Sequence, residues 1–323
     1  RRPSTRINRP RAADATQDCQ PACHGLVEPP TWIAGRCSRF EGQPGICGTR
    51  TDRIDRSKSA RGRPARQRAI NEAAKGLAHM ATDAVRYRLD GRIATLCIDD
   101  GKRNALSPEI LGAIYRALDE AEADRATLII TGRDEVFTAG FDLKVMKRGG
   151  TEAVRMLQRG FALTARVLNY PHPVVAACNG HVMAMGVFLM LSADYVIGTR
   201  GNFKVSANEV AIGLTLPRVA AAMLHHRLTP AAYQRAAVLS EYFDVESAHT
   251  AGFFDELVAA GELQAHAEDR ARAFSELDQR AHTATKRRLR KRLVRRIRWS
   301  IPLDLIDAMM IGLRASRRRS KSR

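Results

Sequence analysis

From residue 85 onward the apolar positions follow two rhythms. Val85, Tyr87 and Leu89 alternate with Arg86 and Arg88, Asp90-Gly91 marks a turn, and Ile93–Ile98 returns, which predicts a β-hairpin. Leu128-Ile129-Ile130 and Val174–Cys178 are short unbroken apolar runs ended by Thr131-Gly132 and Asn179-Gly180, the pattern of strands buried on both faces. Asp194–Gly198 reads as a further strand. Between these runs the spacing changes to three and four. Ile110, Leu111, Ile114, Leu118 and Ala121 form one helical face behind Ser107-Pro108-Glu109, in which Ser caps and Pro takes the first position. Val154, Leu157, Phe161, Ala165 and Leu168 predict a helix over 151–168, stopped by Tyr170-Pro171-His172-Pro173. Met183–Leu191 is apolar and helical in length, and helical patterns recur from near Pro217, over 231–239, over 245–251 with Gly252 closing, and over 261–285. Strands interleaved with helices place the chain in the α/β class.

Two of the predicted strand-to-helix turns carry candidate chemistry. The first is Val136–Leu143, with glycine at its tightest point and Asp142 suited to start a helix. The second runs from Asn179-Gly180 through small residues to the apolar helix. Turns of this kind leave backbone N–H groups unpaired by secondary structure. Two of them face to face supply two donors to one oxygen. Glu209 stands out separately, a lone acid between small polar residues and the apolar Val210–Leu214. A solvated loop carboxylate is the ordinary reading of such a residue.

Three ordered motifs, "FTAGFDL", "PVVAACNG" and "NEVAIGLTLP", resemble the crotonase superfamily, the enoyl-CoA hydratase/isomerase proteins, over residues 83 to 285. The resemblance implies a crotonase-type spiral of strand pairs and helices with a helical C-terminal segment. It also implies a coenzyme A thioester as substrate and no permanently bound cofactor; no metal is expected, since no carboxylate-rich segment partners His225-His226. The oxyanion hole then takes the N–H groups of Phe141 and Met185. Glu209 falls where hydratases and isomerases carry a catalytic glutamate. "KRNALS" matches the loop that touches CoA, which assigns Lys102, Ala105 and Leu106 to substrate binding, with Ala139, Gly140, Asp142, Leu143, Gly180 and Gly186 from the two turns. Lys102 and Arg103 are candidates for CoA phosphates, or a solvated charge pair. Ala284-Thr285-Lys286 resembles the family's ending, where a basic residue reaches CoA phosphate.

One departure bears on mechanism. Hydratases of the family carry a second glutamate three residues after the second oxyanion-hole residue, and that position is Phe188 here. No acid lies between Gly180 and Leu191. With only the Glu209-like residue the chain resembles the Δ3,Δ2-enoyl-CoA isomerases of the family, in which one base shuttles a proton between two carbons. A CoA-ester binder without catalysis is the alternative. His181, beside the second turn, is the next candidate base.

Charge adds the picture of the ends. The formal net charge is +19, yet residues 1–79 hold 16 Lys/Arg against 7 acids, and 286–323 hold 15 against 2. The centre, with 22 basic and 25 acidic residues, is slightly acidic, which argues against a specific nucleic-acid partner. Residues 1–79 lack persistent apolar periodicity and are expected to be a disordered basic extension, with translation starting at Met80 as the favoured explanation. Cys19, Cys23, His24, Cys37 and Cys47 lack the paired knuckles of a zinc site. The crotonase-like domain is expected over 80–300, with a basic tail over 301–323. Leu289, Leu293 and Ile297 form an apolar stripe among arginines, read as packing on a neighbouring subunit in preference to an anionic membrane surface. No run is long and apolar enough to span a membrane. Cys97 and Cys178 sit inside apolar strands as small core residues, consistent with a reducing, cytoplasmic setting. The resemblance adds a homotrimer or hexamer.

Overall fold

The computed structural model describes residues 84–321, with side chains described through Ile311. The extension 1–79, its cysteines and the expected domain start at residue 80 lie outside the described residues.

The hairpin forms as the alternation predicts: β1 (Val85–Asp90) pairs antiparallel with β2 (Ile93–Ile98). Helix α1 (Pro108–Ala123) follows, and the Ser107 hydroxyl accepts the Ile110 N–H at its start. Strands β3 (Thr127–Thr131), β5 (Val174–Cys178), β7 (Tyr195–Thr199) and β9 (Glu256–Val258) extend the sheet in the order β1-β2-β3-β5-β7-β9, all parallel from β2 onward. Strands β3 and β5 are apolar on both faces because both faces are covered. Ile129, Val175 and Ile197 pack against Ala267 and Ala271 of α8 (Leu263–Ser275). Leu128, Ile130 and Ala176 face the main core with residues of α1 and of α3 (Gly150–Leu168).

A second sheet was not legible in the apolar pattern. It is three-stranded and parallel, in the order β4 (Glu135–Thr138), β6 (Gly180–Met183), β8 (Val205–Ser206). Strands of four, four and two residues are too short to show a period. The helix expected over 183–191 is accordingly shorter, α4 (Met185–Met190), because Met183 still belongs to β6. Helix α2 (Leu143–Arg148) begins where Asp142 caps it, the carboxylate accepting the Lys144 N–H at 2.7 Å.

After α5 (Arg218–Arg227), α6 (Pro230–Leu239) and α7 (Val245–Ala251), the helical region expected over 261–285 is interrupted. Helix α8 stops at Ser275, and α9 (Gln279–Lys321) starts anew. Helix α9 passes residue 300 unbroken, with Pro302 inside it. Where a basic tail is expected over 301–323, the described residues 301–321 continue α9, and Ile301 and Asp304 are buried. The buried face of α9 comprises Val294, Ile297 and Ile301 and joins this chain's own core, whereas Leu289 is 76% exposed. Only Ile297 and Leu293 of the predicted stripe face inward. Among the described residues no helix is long and apolar enough to cross a membrane, and no cluster of three or more His, Cys, Asp or Glu has metal-site geometry.

Candidate functional site

The parallel strands β2, β3 and β5 all end on the same edge of the large sheet, where open α/β sheets commonly bind ligands. The "KRNALS" loop leaves β2 there, and one residue ties it to everything around it. Asn104 is fully buried at a left-handed φ of 54°, a conformation that Asn tolerates better than most residues. Its amide nitrogen donates to the carbonyls of Ile98 (2.7 Å), Phe137 (3.1 Å) and Val136 (3.2 Å), and its oxygen accepts the Asp100 N–H. The Thr138 hydroxyl donates to the Asn104 carbonyl at 2.6 Å and accepts the Gly140 N–H at 3.1 Å. The Leu106 N–H donates to the Gly140 carbonyl at 2.7 Å, and the Ala139 N–H to the Arg103 carbonyl at 3.0 Å. Loop and turn are therefore one hydrogen-bonded unit. Neither Asn104 nor Thr138 was singled out from sequence. Their one signal is that polar side chains sit beside apolar strand ends, where a buried amide or hydroxyl needs partners.

The two turns meet. Gly140 has φ 83°, and a Cβ placed there would lie 2.9 Å from the Ala184 Cβ and 3.1 Å from the Met185 nitrogen. Gly186 makes room in the same way: its Cβ would lie 2.5 Å from the Thr138 Cγ2. Ala184 itself stands at φ 47°, a costly conformation for a residue with a Cβ. Its N–H donates to the Ser206 carbonyl at 2.9 Å, which fixes the turn to β8. Among the described residues the N–H groups of Phe141 and Met185 have no hydrogen-bond partner, and both flank the contact between the turns. The Phe141 ring meets Phe161 edge-on with centroids 5.6 Å apart and covers Gly160, where no Cβ would fit.

Glu209 follows β8 by three residues and opens a short 3-10 turn, Val210–Ile212. Its exposure is 7%, and Oε2 has no hydrogen-bond partner among the described residues. Burial pushes its pKa up to about 7, against a backbone hydrogen bond that lowers it. A carboxyl with that pKa, uncommitted to any neighbour, exchanges protons at neutral pH. The solvated-loop reading of Glu209 does not hold.

The other predicted residues divide by role. The Lys102 side chain is exposed at the rim, and its backbone N–H is held by the Asp100 carboxylate at 2.7 Å, which also accepts the Ala105 N–H. Leu106 is fully buried, and its carbonyl accepts the Asp142 N–H. Leu143 is 56% exposed beside the turn, and Gly180 pairs with Glu135 inside the small sheet. Phe188 is buried in the main core, and no charged group stands in its place. His181 is committed elsewhere: its Nδ1 accepts the Lys204 N–H at 3.1 Å. Lys286 points inward. Its ammonium donates to Asp194 at 2.6 Å and to the His172 carbonyl at 3.0 Å, and burial lowers its pKa to about 8. The reading of Lys286 as a CoA-phosphate contact therefore does not hold, since its charge is already taken.

Comparison with known proteins decides the lineage of this arrangement. The enoyl-CoA hydratase/isomerase family model matches residues 89–304. The chain belongs to that family. Family membership spans the loop, both turns, Glu209 and most of the described α9. A crystal structure of an enoyl-CoA hydratase/isomerase family protein from Pseudomonas syringae is 40% identical, with a TM-score of 0.68, covering 69% of this chain and 97% of that one. A probable enoyl-CoA hydratase of Mycobacterium avium is 33% identical over 202 residues, 61% of this chain and 77% of the relative. A peroxisomal enoyl-CoA delta isomerase of Arabidopsis thaliana is 28% identical over 159 residues, 46% of this chain and 66% of the relative. Among curated relatives the matched stretch spans from 51% to 77% of the relative's own length. Hydratase and isomerase names thus both occur around one fold.

Proposed function

We propose that this family member acts on a CoA thioester by enolate chemistry, with Glu209 as its single acid–base group, and that it isomerises an enoyl-CoA in preference to hydrating one. The observation that carries this reading is Glu209: buried, unpartnered at Oε2 and raised to about 7, with no second acid on α4. The thioester carbonyl accepts the free N–H groups of Phe141 and Met185, each worth about 3–4 kcal/mol of barrier as negative charge develops on that oxygen. Glu209 takes a proton from the α carbon of a 3-enoyl thioester, leaving a dienolate, and returns that proton to the γ carbon to give the 2-enoyl product. Hydration by two carboxylates requires a second acid to orient water, and Phe188 supplies none. The chemistry asks for no resident cofactor, because the thioester provides its own electron sink. Lys102 and Arg103 at the rim are suited to CoA phosphates. A cytoplasmic homotrimer or hexamer completes the proposal.

Solvent-deuterium exchange into a bound 3-enoyl-CoA tests it. Exchange at the α or γ carbon in the parent, absent in Glu209→Gln, supports the assignment. Exchange that survives Glu209→Gln means another residue is the base. No exchange in either protein leaves only a CoA-ester binder, the reading that the Phe188 departure also permits.

A further inference from the structure

The opposite edge of the large sheet holds an arrangement that the thioester chemistry does not use. Arg92 immediately precedes β2, Arg125 stands two residues before β3, and His172 stands two residues before β5. These are the N-terminal ends of the parallel strands. At about 3.3 Å per residue, β2 alone carries the chain some ~17 Å from Arg92 to the loop that feeds the candidate active site. Together with Arg280 and Arg287 from the first turns of α9, they line a cavity of about 520 Å³.

Its charge is one-sided. Four arginines from three separate segments surround the cavity, and no carboxylate lines it. All four are exposed, and none forms an ion pair among the described residues. Their neighbours are treated differently by the same fold. Arg86 and Arg88, on the same hairpin as Arg92, pair with Asp99 and Glu268. Arg290, one turn beyond Arg287 on α9, pairs with Asp194 at 2.9 Å. The floor is fixed. The Thr283 hydroxyl donates to the Pro171 carbonyl, and the Gln279 side chain lies 3.1 Å from His172 Nδ1 while its amide holds the carbonyl of Leu277. Four arginine residues lining one cavity with no carboxylate among its lining leave a local excess of positive charge, which a multiply charged anion offsets. Guanidinium forks match phosphate oxygens in pairs.

We propose that this basin is a second binding site, for a ligand carrying two or more phosphate groups, at the sheet edge remote from the thioester. The volume suits a soluble phosphate compound or the headgroup of a polyphosphorylated lipid, and the two sources are separable. Calorimetric titration of the full chain with inorganic pyrophosphate at fixed ionic strength tests the site. The double variant Arg92→Gln/Arg287→Gln is expected to weaken pyrophosphate binding at least tenfold. Arg295→Gln/Arg298→Gln removes the same charge from the exposed face of α9 and is expected to change it less than twofold, as is Lys102→Gln/Arg103→Gln. Equal losses from the first two pairs would reduce the effect to overall charge, and loss confined to the Lys102/Arg103 pair would move it to the candidate active site. Either result overturns the proposal, as does the absence of binding to both pyrophosphate and vesicles containing a phosphoinositide bisphosphate. Binding to those vesicles that depends on Arg92 and Arg287 assigns the lipid source, and binding to pyrophosphate alone assigns the soluble one. Melting temperatures of the variants confirm folding, since every substituted side chain is exposed.

Discussion

Glu209 links burial to both chemistry and stability. Its pKa in the folded chain, about 7, lies above the 4.5 of an ordinary glutamate, so between those values the folded state holds a proton that the unfolded state has released. The contribution to stability is therefore complete below about pH 4.5 and is lost as pH rises through about 7. A rise of that size corresponds to about 3 kcal/mol, the cost of ionising the buried carboxyl. Glu209→Gln should remove this cost, so the variant is expected to melt higher than the parent at pH 8 and to match it near pH 4.5. Turnover should respond in the opposite sense. In the proposed role Glu209 must be ionised to act as base, so the parent's kcat should rise towards a plateau above about pH 7, and the Gln variant should lose about 10²–10⁴-fold. A variant that melts lower at pH 8 would contradict the burial argument. Gly140 is the second informative residue. Gly140→Ala puts a Cβ 2.9 Å from that of Ala184 at φ 83°, which pushes the two turns apart. If the Phe141 and Met185 N–H groups act as proposed, turnover is expected to drop by about 10²-fold or more, the worth of one misplaced oxyanion donor, with CoA-ester affinity nearly retained. Steady-state kinetics beside a binding titration separates the two effects.

At the scale of elements, the site is held where the large sheet, the small sheet and the "KRNALS" loop are sewn together. Asn104 makes the stitch: three carbonyls from β2 and β4 depend on one amide nitrogen. Asn104→Ala leaves those carbonyls without that donor and keeps a side chain at φ 54°, where alanine is less tolerated. The loss is expected to be about 3 kcal/mol, read as a lower urea midpoint at unchanged slope. In the proposed role of Lys102 at the CoA phosphates, KM should rise as well, because Lys102 belongs to the same loop. Asn104→Asp tests the donor role, since it keeps the size but cannot donate from that atom when ionised.

Across the whole molecule, α9 reaches from the N-terminal edge of the sheet to the start of α5. That helix begins at Pro217–Arg218 with no side-chain cap of its own. Asp304 of α9 supplies it from 86 residues away: its carboxylate accepts the N–H groups of Arg218 and Val219, each at 3.0 Å. Arg290 does the same for carbonyls, donating to Leu168, Ser192 and Ala193 at the ends of α3 and α4. Asp304→Ala should cost about 2 kcal/mol, as the loss of a cap made by a charged group does, and lower the melting temperature by roughly 5 °C. Asp304→Asn should recover part of that. If the alanine variant melted like the parent, α5 would not depend on α9 for its start.

The local signals were enough for β1, β2, α1 and the buried strands β3, β5 and β7, because their periods, caps and turn residues are contiguous in the chain. Glycine and Asp142 at the first turn were legible for the same reason. The choice of the Phe141 and Met185 N–H groups rests on the resemblance, since a backbone donor leaves no mark in the residue type that carries it. What the sequence could not contain is proximity. The strands of the small sheet are too short to show alternation, so β4, β6 and β8 emerged only from their pairing with one another. The reach of Asn104 and Thr138 across loop and turn is likewise a matter of distance. Glu209 is a buried carboxyl with a raised pKa, and not a solvated loop residue, because tertiary packing excludes water from it. The same kind of closure directed Lys286 inward to Asp194 and gathered Arg92, Arg125, Arg280 and Arg287 around one cavity. Patterns of residue type determine which segments become strands and helices; the free energy of a charge depends on which distant groups surround it, and only the folded arrangement decides that.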